Sequence, residues 1–358
     1  MSEATTHSAE ERSFAATLLR HGSRVIASQA AETLLERAPD AGKLFGRKAF
    51  RGWHDNLSQR ISELAAAVEM GSPEIFVRDV TWSTAAFAAR DIPSDAVTHS
   101  LESLLAAARA DLPDDCVAMI EPVLTAGIEA SAGEAEPMAR LEISSPRGEL
   151  ALEFLKTVLE GKRQLATKML VDVVRGGADL SEIYEQVLLP VESEIGTMWH
   201  LGEVSIPEEH AATEAIRGAM AVLSHDAYAN SSPEPKPGAV LVGAVEGDQH
   251  DIGVRAVADI IEVAGYTAVY LGANVPTRDL VRACESYEVT AVLLSAAMGV
   301  HLPAIQEAIA AVRGASGIRV IVGGGAFTPD PSLAEQIGAD GYAADTAEAV
   351  RLLNESAK

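Results

Sequence analysis

The chain has 358 residues, with 28 Lys+Arg against 52 Asp+Glu, a formal net charge of -24 and 48% hydrophobic residues. That length suits two or three domains, and the apolar content excludes wholesale disorder. The acidity and the lack of any Lys/Arg-rich run exclude direct nucleic-acid binding, which needs cations to neutralise phosphates.

The acidic start, MSEATTHSAEERSF, lacks the basic flank of a secretory signal, and no long apolar run predicts a membrane span. Cys116 and Cys284 lie far apart and make neither a disulfide framework nor a thiolate metal cage. These features together predict a cytoplasmic protein with no membrane partner.

Along the chain, residues 1–130 repeat apolar side chains at helical spacing, as in FAATLLRHGSRVIASQAAETLLERA, and predict an all-helical domain of globin-like size. Residues 131–147 mix small, charged and proline residues without a period and read as a linker. Residues 148–230 are helical again, and four helices joined by short turns predict a four-helix bundle. After SSPEPKPG, residues 236–358 alternate short apolar strands such as AVLVGAV and TAVLLSAA with amphipathic helices. That alternation predicts a parallel sheet covered on both faces, a Rossmann-like (flavodoxin-like) domain. The expected fold class is therefore multidomain, α plus α/β, with ligands at the C-terminal ends of the strands.

The loop after the first strand of this last domain reads Glu246-Gly247-Asp248-Gln249-His250-Asp251-Ile252-Gly253. At such a strand end His250 can offer one ring nitrogen to a metal while Asp248 accepts a hydrogen bond from the other, fixing the tautomer. Gly253 is expected to let the following helix approach closely. With a single imidazole and no second ligand nearby, the metal has to arrive already chelated.

These residues resemble the hallmark of cobalamin-binding domains: Asp-x-His-x-x-Gly at Asp248, His250 and Gly253, then a serine motif at Ser295-Ala296-Ala297, then glycines at Gly323-Gly324-Gly325. Ala297 departs from the leucine that the family often has. The resemblance implies that His250 replaces the lower dimethylbenzimidazole ligand of the corrin cobalt. It also implies that the nucleotide tail threads into the sheet past Ser295, Gly323 and Gly324. The alternative is an ordinary flavodoxin-like domain carrying the motif by chance.

Between the last two helices of residues 148–230 stands Trp199-His200-Leu201-Gly202-Glu203-Val204-Ser205-Ile206-Pro207-Glu208-Glu209-His210. Ser205 and Glu208 form a capping box with proline in the first turn, which puts Glu209 and His210 in the opening turn of the fourth helix. Trp199, His200, Glu209 and His210 are expected to gather at one corner. The segment is similar to the Trp-x9-Glu-His signature of CarH-type adenosylcobalamin photoreceptors. That resemblance implies that Trp199 packs over the adenosyl group, that Glu209 hydrogen-bonds it, and that His200 becomes the upper cobalt ligand after light. His225 and His301 are read as structural.

CarH-type repressors carry a DNA-binding domain in front of this module, whereas here the first domain is acidic and helical. The whole chain resembles a photocobilin, which implies a sensory first domain with biliverdin as a second chromophore. Arg47, Lys48, Arg51, His54 and Arg60 would supply cations for its propionates, with Trp53, Phe76, Trp82 and Phe87 as walls, and Cys116 is a weaker thioether candidate. The competing reading of these residues is a solvated basic face and a normal core. The resulting expectation is a light-sensing, non-enzymatic protein whose homo-oligomeric assembly changes on illumination and which acts on an unidentified downstream protein. A corrinoid methyl carrier working with a separate methyltransferase is the alternative. A mutase cobalamin subunit is a third reading, and it would need a partner barrel.

Overall fold

The computed structural model describes residues 7–90, 92–93, 95–133 and 140–355 and divides the chain into two compact units, Met1–Met138 and Ala139–Lys358. In the first unit the described residues form five long helices: α1 (Ala9–Arg37), α2 (Ala49–Met70), α3 (Pro73–Ala88), α4 (Asp95–Asp111) and α5 (Asp114–Ser131). A reciprocal capping box starts α1, where Ser8 Oγ accepts from Glu11 N–H and the Glu11 carboxylate accepts from Ser8 N–H. Gly71, at φ 65°, ends α2. Buried alanines, among them Ala27, Ala30 and Ala31 on α1 and Ala65, Ala66 and Ala67 on α2, let these helices approach closely.

Against that apolar background, three charged groups on α2 and α3 are buried together. Arg60 pairs with Glu63 at 2.6 Å and donates to Ser83 Oγ, while Asp79 has one carboxylate oxygen without a hydrogen-bond partner. Burial, reinforced by the Glu63 charge, pushes the Asp79 carboxyl up to about 7.

The second unit begins with an irregular stretch that is nonetheless anchored. Arg140 binds the Glu203 carboxylate through two nitrogens and reaches the buried Glu194, and Leu141 N–H donates to Glu194. The remainder of the expected linker between 134 and 139 lies outside the described residues. Next come α6 (Pro146–Leu159), α7 (Arg163–Arg175), a short α8 (Leu180–Ile183) running through a π-helical turn (Tyr184–Leu188) into α9 (Leu189–Leu201), and α10 (Ile206–Ser231). The capping box at the start of α10 is present, Glu208 accepting from Ser205 N–H at 2.7 Å and from its hydroxyl at 2.6 Å. Phe154, Leu170, Tyr184, Val191, Ile216 and Leu223 form one core shared by these helices.

The α/β part follows as β1 (Ala239–Val245), α11 (Ile252–Val263), β2 (Thr267–Val275), α12 (Thr277–Ser286), β3 (Val289–Ser295), α13 (Leu302–Ser316), β4 (Arg319–Gly323), α14 (Leu333–Gln336), β5 (Gly341–Ala343) and α15 (Thr346–Glu355). All strand pairs are parallel, in the order β2-β1-β3-β4-β5, so the chain reverses its winding between β1 and β3. At such a switch point the loops leaving the two strands diverge and open a crevice. Every residue of β1 is buried, as a central strand requires.

Helix α11 joins the two halves of this unit because it is apolar on two faces. Val254, Ala258 and Ile261 pack on the sheet, whereas Ile252, Ala256 and Ile260 belong to the core of the preceding helices. Its N-terminus, and with it the loop from β1, is therefore pinned between the helices and the strand ends. Among the described residues no helix is long and apolar enough to cross a membrane.

The buried Asp79 carboxyl has a sign that can be checked. A folded-state pKa raised above the unfolded value means stability that is present in acid and lost as pH rises from about 4 to 7. Asp79→Asn should remove most of that loss. Its unfolding midpoint at pH 8 should exceed that of the parent chain by on the order of 4 °C or more, with little difference at pH 4.

Candidate functional site

The β1–α11 loop is held from two neighbouring strand ends. Asp248 N–H donates to Val245 O at 3.0 Å, and its carbonyl accepts from Asn274 N–H, at the end of β2, at 2.8 Å. Asn274 Oδ1 in turn accepts from Gly247 N–H at 2.7 Å. The Asp248 side chain is fully buried; Oδ2 accepts from Ala297 N–H, just past β3, at 2.6 Å, and Oδ1 accepts from His250 N–H at 3.0 Å. The same Oδ1 lies 2.7 Å from His250 Nδ1. An ionised carboxylate only accepts, so Nδ1 carries the proton and Nε2 keeps the lone pair that a metal requires.

The electrostatics agree with that assignment. Burial pushes the Asp248 carboxyl up, but hydrogen bonds from the His250 ring, Ala297 N–H and His250 N–H outweigh it and leave the group below the usual carboxylate range. The bond to Asp248 raises His250 above an ordinary imidazole, against the opposing effect of burial. The His250 side chain is 62% exposed, which leaves its outer nitrogen reachable. His301, read from the sequence as structural, also faces this carboxylate, with Nε2 3.9 Å from Asp248 Oδ1, and burial lowers its pKa. His225 is exposed on α10.

Two cavities meet at Gly253. One, of about 230 Å³, is lined mainly by apolar groups at the strand ends, including Val254, Val257, Leu293, Ile321 and Tyr342, with Ser295, Gly323, Gly324 and Gly325. The other, of about 570 Å³, is polar, lined by Glu192, Glu209, His210, Thr213, Glu214 and Arg217 from the helices and by residues 249–253 from the loop. The expectation that Gly253 admits a close helix is corrected here: a Cβ at this position would meet open space, so a side chain would project toward the cavities. Gly324 is constrained differently. At φ 97° its added Cβ would lie 2.3 Å from Ala296 O, so glycine serves the loop's own backbone.

The expected residues are thus partly assembled. Gly253, Ser295, Gly323 and Gly324 share the apolar cavity, while Glu209, His210, His250 and Gly253 share the polar one, with Asp248 behind. Trp199 and His200 line neither; they end α9 with ring centroids 6.5 Å apart, just before Gly202 at φ 78°. The departure at Ala297 costs the loop nothing, because the contact made to Asp248 is the backbone N–H.

Several residues at the site had not been singled out from the sequence. Arg217 on α10 binds both Asp251 oxygens, and Tyr270 on β2 donates to Asp251 Oδ2 at 2.7 Å, so helix, loop and strand are clamped beside His250. Thr213 Oγ1 lies 3.1 Å from Glu192 Oε1 and 3.1 Å from Glu209 Oε1. Only the seven-residue spacing from Glu192 to Trp199 was visible as a signal; Arg217 stands in no motif.

In the first unit the proposed bilin residues are not arranged alike. Trp53 and Phe76 are fully buried, and Trp53 Nε1 donates to Ala41 O at 2.9 Å between Phe45 and Phe87. Arg60 is committed to Glu63 and Ser83, whereas Arg47, Lys48 and Arg51 are exposed, His54 is half-buried and Trp82 is 39% exposed. The Cys116 thiol is buried, and burial with Asp115 raises its pKa, which disfavours a reactive thiolate.

Among the described residues no group of three or more His, Cys, Asp or Glu could hold a metal ion, so a cation on His250 needs a chelate for its other ligands. A macrocycle carrying a long tail fits that need, with an apolar slot on one side of Gly253 and a wider opening on the other. Two family models, both described as a B12 binding domain, match residues 238–351 and 150–224. The chain is 30% identical over 205 residues to the dimethylamine corrinoid protein 1 of Methanosarcina acetivorans, covering 56% of this chain and 94% of that one.

The chain belongs to the B12-binding corrinoid proteins.

The trimethylamine corrinoid protein 1 of Methanosarcina mazei is 29% identical over 192 residues, covering 52% of this chain and 87% of the relative. The structure of the Methanosarcina barkeri monomethylamine corrinoid protein shares the fold at TM-score 0.50 and 22% identity, covering 58% of this chain and 98% of that one. The corrinoid-binding loop and its cavities are thus those of a cobalamin-binding protein.

In this corrinoid protein, Asp248→Asn should weaken cobalamin binding about 10–100-fold, because the amide no longer holds His250 with Nδ1 protonated. Gly253→Val should block loading by filling the space between the cavities. Equilibrium dialysis against hydroxocobalamin checks both, and unchanged affinity in Asp248→Asn would contradict the assignment of the Asp248–His250 pair.

Proposed function

We propose that this corrinoid protein is a cytoplasmic light-sensing signalling protein that holds adenosylcobalamin base-off, with His250 as the lower cobalt ligand. The observation that carries the reading is the polar cavity on the His250 side, where Glu192, Glu209 and His210 face the loop. Such a wall suits an upper ligand with hydroxyls and an amine, whereas a methyl group offers it nothing. Bound adenosylcobalamin supplies a cobalt–carbon bond that light breaks.

The chain's residues divide the remaining work. Glu209 accepts hydrogen bonds from the adenosyl group, and Trp199 offers it a flat apolar wall. His200, beside Trp199, is the imidazole that takes the upper side of the metal in the illuminated protein. Because Trp199 and His200 line neither cavity, the end of α9 has to turn at Gly202 to bring them in. That movement is the switch, biased by the contacts that the adenosyl group makes or loses. Its expected readouts are a change in homo-oligomeric assembly and engagement of a downstream protein. Biliverdin as a second chromophore in the first unit is part of the same reading and is supported by the resemblance of the whole chain and by the exposed cations Arg47, Lys48 and Arg51.

A second reading is a corrinoid methyl carrier acting with a separate methyltransferase. The methylamine corrinoid relatives favour it, and they support it better than they support light sensing. Asp248 and His250 would serve it equally, but Trp199, His200 and the carboxylates of the polar cavity would have no assigned task.

Absorption spectra of the adenosylcobalamin- and biliverdin-loaded protein before and after green light separate the two. Light sensing predicts a lasting bis-histidine cobalamin spectrum that His200→Ala abolishes, red bilin bands, and different dark and light elution on size exclusion. A spectrum that returns fully in the dark, with one elution position and preferential loading of methylcobalamin, would leave the methyl carrier.

A further inference from the structure

We infer that Glu192, joined to Glu209 through Thr213, makes the polar cavity beside His250 select an upper ligand rich in hydrogen-bond donors, a nucleoside, over a methyl group. The inference rests on the adenosyl reading and assigns its selectivity to a residue outside the Trp-x9-Glu-His motif.

The placement comes from α9 and the π-turn before it. Glu185, Glu192 and Trp199 are spaced by seven, two helical turns, so they lie along one face with a drift of only about 20° per step. Glu185 lines the apolar cavity and accepts from Thr346 N–H at 2.9 Å; Glu192 lines the polar one. The same stripe therefore passes both halves of the cofactor site and ends at the tryptophan assigned to the adenosyl group.

The chemistry comes from counting protons. Thr213 Oγ1 lies 3.1 and 3.3 Å from the two Glu192 oxygens and 3.1 Å from Glu209 Oε1, yet a hydroxyl has one proton to donate. Arg217 on the same helix has both terminal nitrogens on Asp251. His210 Nε2 stands 3.4 Å from the other Glu209 oxygen. The wall thus has more carboxylate acceptors than neighbouring donors, and a ribose diol or purine amine supplies what is missing. Burial raises the Glu192 pKa more than the Thr213 hydroxyl lowers it, as expected of a desolvated carboxyl short of donors. A site built to hydrogen-bond its ligand discriminates strongly against an analogue without those groups.

The test is titration of the full chain in the dark with adenosylcobalamin and with methylcobalamin. The parent chain should prefer adenosylcobalamin. Glu192→Gln should weaken that ligand about tenfold or more while methylcobalamin stays within about twofold. Thr213→Val, which keeps the shape and removes the hydroxyl, should narrow the preference in the same direction and decides the matter should Glu192→Gln misfold. A parent chain that binds both cobalamins equally overturns the adenosyl reading and this inference together. A preference that survives both variants, or an equal loss of both ligands in Glu192→Gln, overturns this inference and leaves the adenosyl reading standing.

Discussion

The buried carboxylate of Asp248 is the constraint on which the cobalamin site depends. It binds the ring and the N–H of His250 and reaches Ala297 N–H across the switch point, and its own backbone is tied to Val245 and Asn274. A buried anion is tolerated only with such a set of donors. In exchange it locks one tautomer and one direction of the imidazole. Without it, an exposed histidine on a loop would sample many orientations and bind cobalt less well.

The loop alone would not make a site; it has to be placed between two walls. That placement follows from the double-faced α11, whose Ile252, Ala256 and Ile260 bind the helical core while Val254, Ala258 and Ile261 bind the sheet. The Arg217–Asp251–Tyr270 clamp adds a directional tie at the same point. Apolar burial thus sets how close the halves come, and the charge-assisted bonds set the register. The apolar and polar cavities on either side of Gly253 follow from that geometry.

Much of this was legible in the sequence, because strand ends and turns impose residue types. The alternation of apolar strands with amphipathic helices announced the parallel sheet, and Asp248, His250, Ser295 and Gly324 announced its C-terminal edge. The capping box at Ser205 located the start of α10, and with it Glu209 and His210. What remained hidden depends on contacts between distant segments. Nothing near Arg217 points to Asp251, 34 residues away, and nothing near Thr213 points to Glu192. Arg60 looked like a surface cation among Arg47, Lys48 and Arg51, yet the helix turns it inward to Glu63. Gly253 was assigned a packing role that the open space around it does not require.

The most direct test of the central claim is the electron paramagnetic resonance spectrum of the cob(II)alamin-loaded protein, produced with and without nitrogen-15 histidine. If His250 is the lower ligand, the nitrogen splitting on each cobalt line changes from a triplet to a doublet on labelling, and His250→Ala removes the labelled coupling. A triplet unchanged by labelling would mean that the cofactor's own benzimidazole stays on the metal, and the account of Asp248 and His250 would be wrong.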